Sequence, residues 1–362
     1  METDACPRAT LPTLRPATRR ATLGAALAAL AGGAAPRAAA ARKKKKGCKF
    51  ATDPVAQTMT LTADCTTTKT VKVPAGFTLD GAGFTIAAKG KAKGFDGAVV
   101  VPKDGLSGFK VVDLILDGSG LVAPPEDDPA VDGIRFAGPD SQLHDSTVRQ
   151  FRNSARAVVS NGANLKIDNA TLTNGSRGLS VTSSTVTMTR TTISNVDFGV
   201  DVTASTFTMK NGSSASGIAN GFASVVNSTA TFDTVTITAP AAGTCISVSQ
   251  QSIVTLTDST LTTGRIGVYV VGERVSEMSK LDAIGNTITL HAPALPFIYG
   301  LEYEGDSTGT ADNNHISGFI DSDPGHFGCG IYVSASSLAQ IGNGNTFPNP
   351  PGNDHDVCDQ RS

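Results

Sequence analysis

The chain has 362 residues, of which 40% are hydrophobic, 5% are aromatic and none is tryptophan. It carries 30 lysine and arginine residues against 32 acidic residues, a formal net charge of −2. The low charged fraction (17%) and the 38 glycines disfavour a helical protein and favour thin strands joined by glycine-rich turns.

Residues 1–41 predict an export signal. Arg19 and Arg20 precede an alanine-rich stretch, and small residues follow at Ala38 and Ala40. The pattern resembles a twin-arginine secretion signal that is cleaved just after this stretch, and the general secretion route is the alternative. The stretch is too short and too weakly apolar to span a membrane. We therefore expect a secreted or cell-surface protein.

Residues 42–49 form a basic linker that contains the run RKKKK. The remaining body, residues 50–362, has 19 basic and 30 acidic residues, a net charge of −11. The linker alone is therefore suited to an anionic wall polymer or lipid headgroup, and the acidic body repels nucleic acid. The alternative interpretation is a solvated linker without a partner.

The cysteines outside the signal predict two disulfides. Cys48 and Cys65 flank the first strand-like stretch of the chain. Cys329 and Cys358 flank the last repeat and the tail. In an exported protein, each pair is expected to fasten one open end of a stack of strands. Cys245 remains and is expected to be a buried free thiol.

A repeat of about 22 residues runs through the middle of the chain. A small residue precedes each apolar alternation, at Gly133, Ala157, Gly178, Gly199, Gly221, Cys245 and Gly267. The apolar residue that opens the following strand has the same period, at Leu143, Ile167, Met188, Met209, Phe232 and Leu256. Two series with one period and a fixed offset indicate one structural unit per repeat.

The content of each unit predicts a parallel β-helix. Apolar residues alternate with serine and threonine, which is a strand period, and a unit of this length is too short for a propeller blade. Polar residues that suit tight turns recur at one corner of each unit, at Asp145, Asn169, Arg190, Asn211, Thr234 and Asp258. We expect an all-β solenoid of about ten coils over residues 50–345, with a terminal tail over 346–362.

The opening coil carries a family resemblance. The stretch TLTADCTTTKTVKVPAGFTLDGAGFTI, residues 60–86, resembles the first coil of secreted bacterial right-handed β-helix proteins of the pectate-lyase-like superfamily. Together with the repeats, the similarity extends from about residue 50 to 345. It implies a right-handed coil and polysaccharides as ligands or substrates. It does not imply catalysis, because many proteins of this architecture resemble surface or structural proteins.

One candidate site lies near residue 130. Hydrolases on this scaffold need paired carboxylates, and lyases need calcium-binding carboxylates beside an arginine. The sequence lacks the full hydrolase pattern, but Asp127 and Asp128 are calcium candidates close to Asp132. Arg156 and Arg177 occupy the position of Asp132 on the following two coils. The three residues are expected to stack as an anion-binding or catalytic patch, or as a surface salt-bridge ladder.

A second candidate site lies where the repeat lengthens, between residues 267 and 330. Insertions in a solenoid form loops on one face, often the binding face. Calcium candidates here are Asp321 and Asp323, and also Glu302, Glu304 and Asp306 of the segment EYEGD. The aromatic residues expected to stack on sugar rings, or else to pack at a coil end, are Tyr299, Tyr303, Phe319 and Phe327.

Three functions remain open from the sequence. The first is a binder of acidic polysaccharide or a structural protein at the cell surface. The second is a calcium-dependent polysaccharide lyase or a glycoside hydrolase. The third is a spacer without a small ligand, for which replacement of Asp321 and Asp323 would change only solubility. Calcium is the one cofactor that the residues suggest.

Overall fold

The protein is a single parallel β-helix of about eleven turns with a mean period of about 24 residues. In the computed structural model, the residues described are 47–124, 129–239, 243–273, 278–291, 298–320, 328–348, 353 and 355–361. Among these residues, the regular elements are strands apart from one 3₁₀ turn at Ala92–Gly94. The all-β solenoid expected from the repeats is confirmed.

The strands are numbered in chain order. They are β1 (Phe50–Asp53), β2 (Thr58–Leu61), β3 (Cys65–Thr67), β4 (Val71–Val73), β5 (Thr78–Asp80), β6 (Thr85–Gly90), β7 (Ala98–Pro102), β8 (Lys110–Val112), β9 (Ile115–Leu121), β10 (Asp132–His144), β11 (Thr147–Arg149), β12 (Arg156–Asp168), β13 (Thr171–Thr182), β14 (Thr185–Thr189), β15 (Thr192–Thr203) and β16 (Thr206–Lys210). The second half contains β17 (Ser214–Ser216), β18 (Gly221–Val226), β19 (Thr229–Asp233), β20 (Thr236–Thr238), β21 (Thr244–Ser249), β22 (Ile253–Thr257), β23 (Thr260–Thr263), β24 (Ile266–Gly272), β25 (Lys280–Ile284), β26 (Thr287–Leu290), β27 (Ile298–Gly305), β28 (Thr308–Asp312), β29 (His315–Ser317), β30 (Gly328–Val333), β31 (Gln340–Ile341) and β32 (His355–Asp359).

Each coil contributes three strand segments, so three parallel sheets run along the solenoid. Sheet 1 contains β18, β21, β24, β27, β30 and β32 in its second half, each paired in parallel with the next. Sheet 2 follows it in the chain and includes β19, β22, β25 and β28. Sheet 3 includes β20, β23, β26 and β29. The long strands β10, β12, β13 and β15 bend from one sheet into another.

The strand register confirms the repeat and corrects one position of it. Leu143 pairs with Ile167, and the same series continues through Met188, Met209, Phe232 and Leu256 as expected. In the small-residue series, however, Val200 pairs with Ala223, so Gly199 lies beside Phe222 and not beside Gly221. A side chain on Gly199 would meet the Phe222 ring at 2.4 Å. The missing side chain of Gly199 therefore makes room for the phenylalanine of the next coil.

The polar corner series adopts the left-handed backbone conformation that was expected of its residue types. All six positions from Asp145 to Asp258 have φ between 46° and 54°. Asparagine and aspartate tolerate this region better than other residues with side chains, which explains their recurrence at the corner. The ladder is therefore a structural feature of the coil.

Two internal ladders of polar side chains accept hydrogen bonds from backbone N–H groups where the coils turn. At the corner between sheets 1 and 2, the hydroxyl oxygens of buried serines accept hydrogen bonds from backbone N–H groups of the preceding coil. Ser184 N–H donates to Ser205 Oγ (3.1 Å), and Ser205 N–H donates to Ser228 Oγ (3.0 Å). At the corner between sheets 2 and 3, the last coils use asparagine. Asn286 N–H donates to Asn314 Oδ1 (3.1 Å), and Asn314 N–H donates to Asn345 Oδ1 (3.0 Å). Buried backbone groups are thereby paired without water.

The core lies inside the coil and is made of stacked aliphatic side chains with a few phenylalanines. Phe109 and Phe136 stack with ring centroids 4.8 Å apart, and Phe207, Phe222 and Phe232 form a second group in the middle of the solenoid. Cys245 is a buried free thiol, as expected, and burial raises its pKa to about 12. It is therefore protonated and unreactive at neutral pH.

Both expected disulfides are present. Cys48 is bonded to Cys65, and Cys329 is bonded to Cys358. At the first end, β1 pairs antiparallel with β2. At the other end, part of the segment predicted as a tail forms β32, which extends sheet 1 by pairing with β30. The terminal strands are thus held covalently where the stack has an open edge.

The C-terminal disulfide is expected to contribute substantially to stability. Replacing both Cys329 and Cys358 by serine should lower the free energy of unfolding by roughly 3.5 kcal/mol, because the bond closes a loop with a sequence separation of 29 residues. The check is urea unfolding together with hydrogen exchange resolved by peptide. Protection should be lost first in β30 and β32, while the central coils, treated identically in wild type and variant, serve as the internal control. Equal protection in both proteins would contradict this expectation.

Candidate functional site

The side chains on the outward face of sheet 1 form two rows along the solenoid. Row A, in chain order, is Asp132, Arg156, Arg177, Phe198, Gly221, Thr244, Ile266, Tyr299 and Cys329. Row B lies three residues further along each strand and ends with Asp201, Ser224, Ser247, Tyr269, Glu302, Tyr332 and Cys358. Neighbouring members of a row are about 4.8 Å apart, the ordinary spacing of strands.

Side chains of row A contact side chains of row B on the next coil. Three contacts of different chemistry have this geometry: the Arg177–Asp201 ion pair, the Tyr299–Tyr332 ring stack and the Cys329–Cys358 disulfide. The two rows therefore form one continuous surface, which is charged near its N-terminal end and aromatic near its C-terminal end.

The charged end contains the first predicted site. Asp132, Arg156 and Arg177 lie in register on consecutive coils, as expected. Asp132 is only 1% exposed and accepts hydrogen bonds from Arg156 N–H (3.0 Å), Arg156 Nε (3.1 Å) and Arg135 Nη2 (3.3 Å). Asp132 is thus paired with Arg156 and Arg135, whereas Arg177 pairs with Asp201 of the next coil, so these side chains form separate salt bridges.

The calcium candidates are not assembled into a site in the described part of the chain. Asp127, Asp128, Asp321 and Asp323 lie outside the described residues. Within the ranges that the structure describes, no three histidine, cysteine or acidic side chains come together with metal-ligand geometry, and this includes the glutamates of residues 302–306.

The structure changes the roles expected of the predicted aromatic residues. Tyr303 and Phe319 are fully buried in the core and present no ring to a ligand. Phe327 lies outside the described residues. Tyr299 is on the outward face but is only 6% exposed, because Tyr332 stacks on it with ring centroids 4.9 Å apart. Tyr303 and Phe319 are therefore core residues and not sugar-stacking residues.

The aromatic end of the two rows is the better candidate site. We define the tyrosine–glutamate site as Arg265, Tyr269, Tyr299, Glu302, Glu304 and Tyr332, all on or next to β24, β27 and β30. The whole chain contains four tyrosines, and three of them are in this site. In row B, Glu302 lies between Tyr269 of the coil before and Tyr332 of the coil after.

Glu302 has the environment of a functional carboxyl group. Its side chain is buried, with 9% exposure, and among the described residues its Oε2 atom has no hydrogen-bond partner. Burial and, to a smaller extent, the negative charge of the neighbouring Glu304 together raise the pKa of Glu302 to about 8, against the opposing effect of Arg265. Glu302 is therefore mainly protonated at pH 7, and its O–H group is a hydrogen-bond donor.

Glu304 and the tyrosines differ from Glu302 in protonation and in exposure. Glu304 is exposed and accepts a hydrogen bond from Tyr269 Oη. Burial, followed by the negative charge of the nearby glutamates, raises the pKa values of Tyr269 and Tyr299. The tyrosines consequently keep their phenol protons well beyond neutral pH.

The Cys329–Cys358 disulfide supports the site from the adjoining coil. Ile266, Tyr299 and Cys329 form a small apolar cluster of their own, and Tyr269, Tyr332 and Cys358 pack against it. The disulfide that fastens the end of the solenoid therefore also fixes the platform under the tyrosine pair. Only Tyr299 of this site was selected from the sequence as a sugar-stacking residue. The concentration of tyrosines in one region was the signal that could have added Tyr269 and Tyr332.

The comparisons with known proteins found only weak similarities, all of them to solved structures. No protein-family model matches the chain. No curated protein matches it. Among solved structures it is similar to the A-module of mannuronan C-5 epimerase AlgE6 from Azotobacter vinelandii, with 15% identity over 78% of this chain and 91% of that chain, and a TM-score of 0.39. It is also similar to the pectate lyase Pel9A, with 12% identity over 78% of this chain and 71% of that chain, and a TM-score of 0.29.

With TM-scores below 0.5, neither structure bears on the site residues or on a ligand of this chain. The parallel β-helix follows from the strand pairing itself. In the part of the chain that the structure describes, no helix is long and apolar enough to cross a membrane.

Proposed function

We propose that this protein is an exported β-helix that binds an acidic polysaccharide along the outward face of sheet 1, with the tyrosine–glutamate site as the principal contact. The observation that carries the proposal is the buried carboxyl of Glu302, with an unpaired oxygen, held between two tyrosines on an outward face. An unsatisfied buried polar group lowers stability, so its presence is best explained by a ligand that completes it.

The residue types of the site suit a carbohydrate. Tyr269 and Tyr332 are half-buried, and each offers an apolar ring together with a hydroxyl group. A sugar ring has the same combination of an apolar face and polar edges. The two rows also provide a continuous surface at right angles to the strands, which suits a linear polymer.

The arginines of the same face favour an acidic polymer over a neutral one. Arg156 and Arg135 both bond to the single carboxylate of Asp132, which leaves one positive charge in excess there. Arg265 contributes a further guanidinium at the tyrosine–glutamate site. A uronate carboxylate could accept hydrogen bonds from N–H and O–H donors along the outward face of sheet 1, although residues 50–362 as a whole are acidic.

A glycoside hydrolase is the second candidate function, favoured by one specific observation. Glu302 and Glu304 are two residues apart on β27, and one carboxyl group is neutral while the other is exposed to water. Hydrolysis of a glycosidic bond needs such a pair, in which a protonated acid donates its proton to the leaving oxygen and a carboxylate activates water. A lyase would need the calcium ligands, which the described residues do not assemble.

Binding to the site is expected to depend on the half-buried Tyr332. The full chain is titrated calorimetrically with uronic-acid oligosaccharides and with neutral oligosaccharides, and the Tyr332→Ala variant should bind the acidic ligand about tenfold more weakly. The reason is the loss of ring stacking, about 1.4 kcal/mol. Phe198→Ala is the matched control, because Phe198 is an exposed aromatic in row A several coils away from the site.

The outcomes separate the proposed functions. Equal affinity of the Tyr332→Ala and Phe198→Ala variants would remove the site from the proposal, and no binding of any polysaccharide would overturn the proposal itself. Mass spectrometry of the same mixtures tests the second function. Saturated fragments that disappear in Glu304→Gln would establish a hydrolase, and unsaturated, calcium-dependent products would establish a lyase.

A further inference from the structure

We propose that Glu302 recognises a carboxylate group of the bound polymer through its own neutral carboxyl group, so that alkaline pH switches binding off. The inference rests on the proposed function and specifies the ligand group and the regulation of the same site. It is drawn from the position, burial and neighbours of Glu302.

The surroundings of Glu302 favour its neutral form. Glu302 is buried between Tyr269 and Tyr332, and among the described residues its Oε2 atom has no hydrogen-bond partner, while the Tyr269 hydroxyl donates to Glu304. The charged and titratable groups that face it among the described residues are Glu304 on the same strand, Arg265 beside β24, and the tyrosines of β24, β27 and β30. Arg265 is the only positively charged group among these, and the negative charge of Glu304 offsets it. Burial disfavours a second negative charge, on Glu302 itself.

A neutral carboxyl group in this position distinguishes ligands by their own charge. Its O–H can donate a short, charge-assisted hydrogen bond to a uronate carboxylate, and this bond is stronger than one to a neutral hydroxyl. Once Glu302 has lost its proton, the same ligand meets a second buried negative charge with no donor between the two carboxylates. Binding and protonation of Glu302 are therefore linked.

The pH range follows from the same linkage. The pKa of Glu302 is about 8 in the free protein, so the binding-competent form predominates below pH 8 and is lost above it. The dissociation constant should be constant below about pH 7 and should rise about tenfold per pH unit above pH 8, as expected for the uptake of one proton. The tyrosines do not add to this slope, because their pKa values are raised.

The experiment measures the dissociation constant of a uronic-acid oligosaccharide for the full chain from pH 6 to pH 9.5. We expect the alkaline rise in wild type and in Glu273→Gln, a control that removes an exposed carboxylate of the segment after β24. Glu302→Gln should show no rise, because its amide donates hydrogen bonds without titrating in this range. Glu304→Gln should keep the slope but move its onset to lower pH, because the charge that raises the Glu302 pKa is gone.

A carboxyl-reduced form of the same oligosaccharide identifies the ligand group. Its affinity should be independent of pH in every variant. A flat profile for the acidic ligand with wild type, or an unchanged slope in Glu302→Gln, would overturn the inference while leaving the proposed function in place. A total absence of binding at pH 6 would overturn both.

Discussion

Replacing Asn314 by alanine is expected to lower the free energy of unfolding by about 4 kcal/mol, because two buried backbone groups lose their partners. Asn314 Oδ1 accepts from Asn286 N–H (3.1 Å) and from Asn286 Nδ2 (2.9 Å), while Asn314 Nδ2 donates to Ala283 O (2.9 Å). The side chain is fully buried, so water cannot replace it without opening the coil. Equilibrium urea unfolding, followed by far-ultraviolet circular dichroism, measures the loss.

The neighbouring position provides the control for Asn314. Asn313 is the same residue type, but it is exposed and has a φ of 53°, so Asn313→Gly keeps the corner geometry and removes only an outward side chain. Asn313→Gly should change the free energy of unfolding by no more than about 0.5 kcal/mol, as for most surface substitutions. Similar losses at the two positions would show that the internal ladder is not what stabilises these coils.

Replacing Gly309 by alanine is expected to lower the free energy of unfolding by about 4 kcal/mol, through backbone strain and steric overlap and not through a lost hydrogen bond. Gly309 has a φ of +128°, and a Cβ atom there would lie 1.8 Å from Leu281 O, its partner in the adjacent strand β25. Backbone strain and overpacking each contribute about 2 kcal/mol. Thermal unfolding and urea unfolding should both show the loss.

Gly90 separates the two contributions at Gly309. It has a similar φ of +114°, but a Cβ atom built on it meets nothing within 4 Å. Gly90→Ala should therefore cost about 2 kcal/mol from backbone strain alone. If the two alanine variants are equally destabilised, the clash with Leu281 is relieved by a small shift of the coil, and the expectation for Gly309 is wrong.

Local chemistry in the sequence was sufficient for most of the fold. The alternation of apolar and hydroxylated residues predicts strands, asparagine and aspartate predict the left-handed corners, and the fixed spacing predicts one coil per repeat. The pairing of Cys48 with Cys65 also followed from local position, since both cysteines are close together at one end. The error at Gly221 arose because both Gly221 and Phe222 fit a strand, and only the register with Gly199 decides between them.

The candidate site depended much more on tertiary structure. The sequence placed Asp132, Arg156 and Arg177 in register, but it could not show that Arg135 and Arg156 both bond to Asp132. Tyr303 and Tyr299 are four residues apart on β27, yet one ring lies in the core and the other lies outside. The contact of Tyr299 with Tyr332 of the next coil has no signal within a single strand.

The sequence by itself determined the parallel β-helix, the position of its corners and the two disulfides, because each depends on residue type and periodic spacing. Tertiary structure alone decided which outward side chains meet and which carboxyl is neutral. The pKa of Glu302 depends on its burial between two neighbouring coils and on the distances to Glu304 and Arg265. Those quantities are set by how about eleven similar coils stack, and no single repeat contains them.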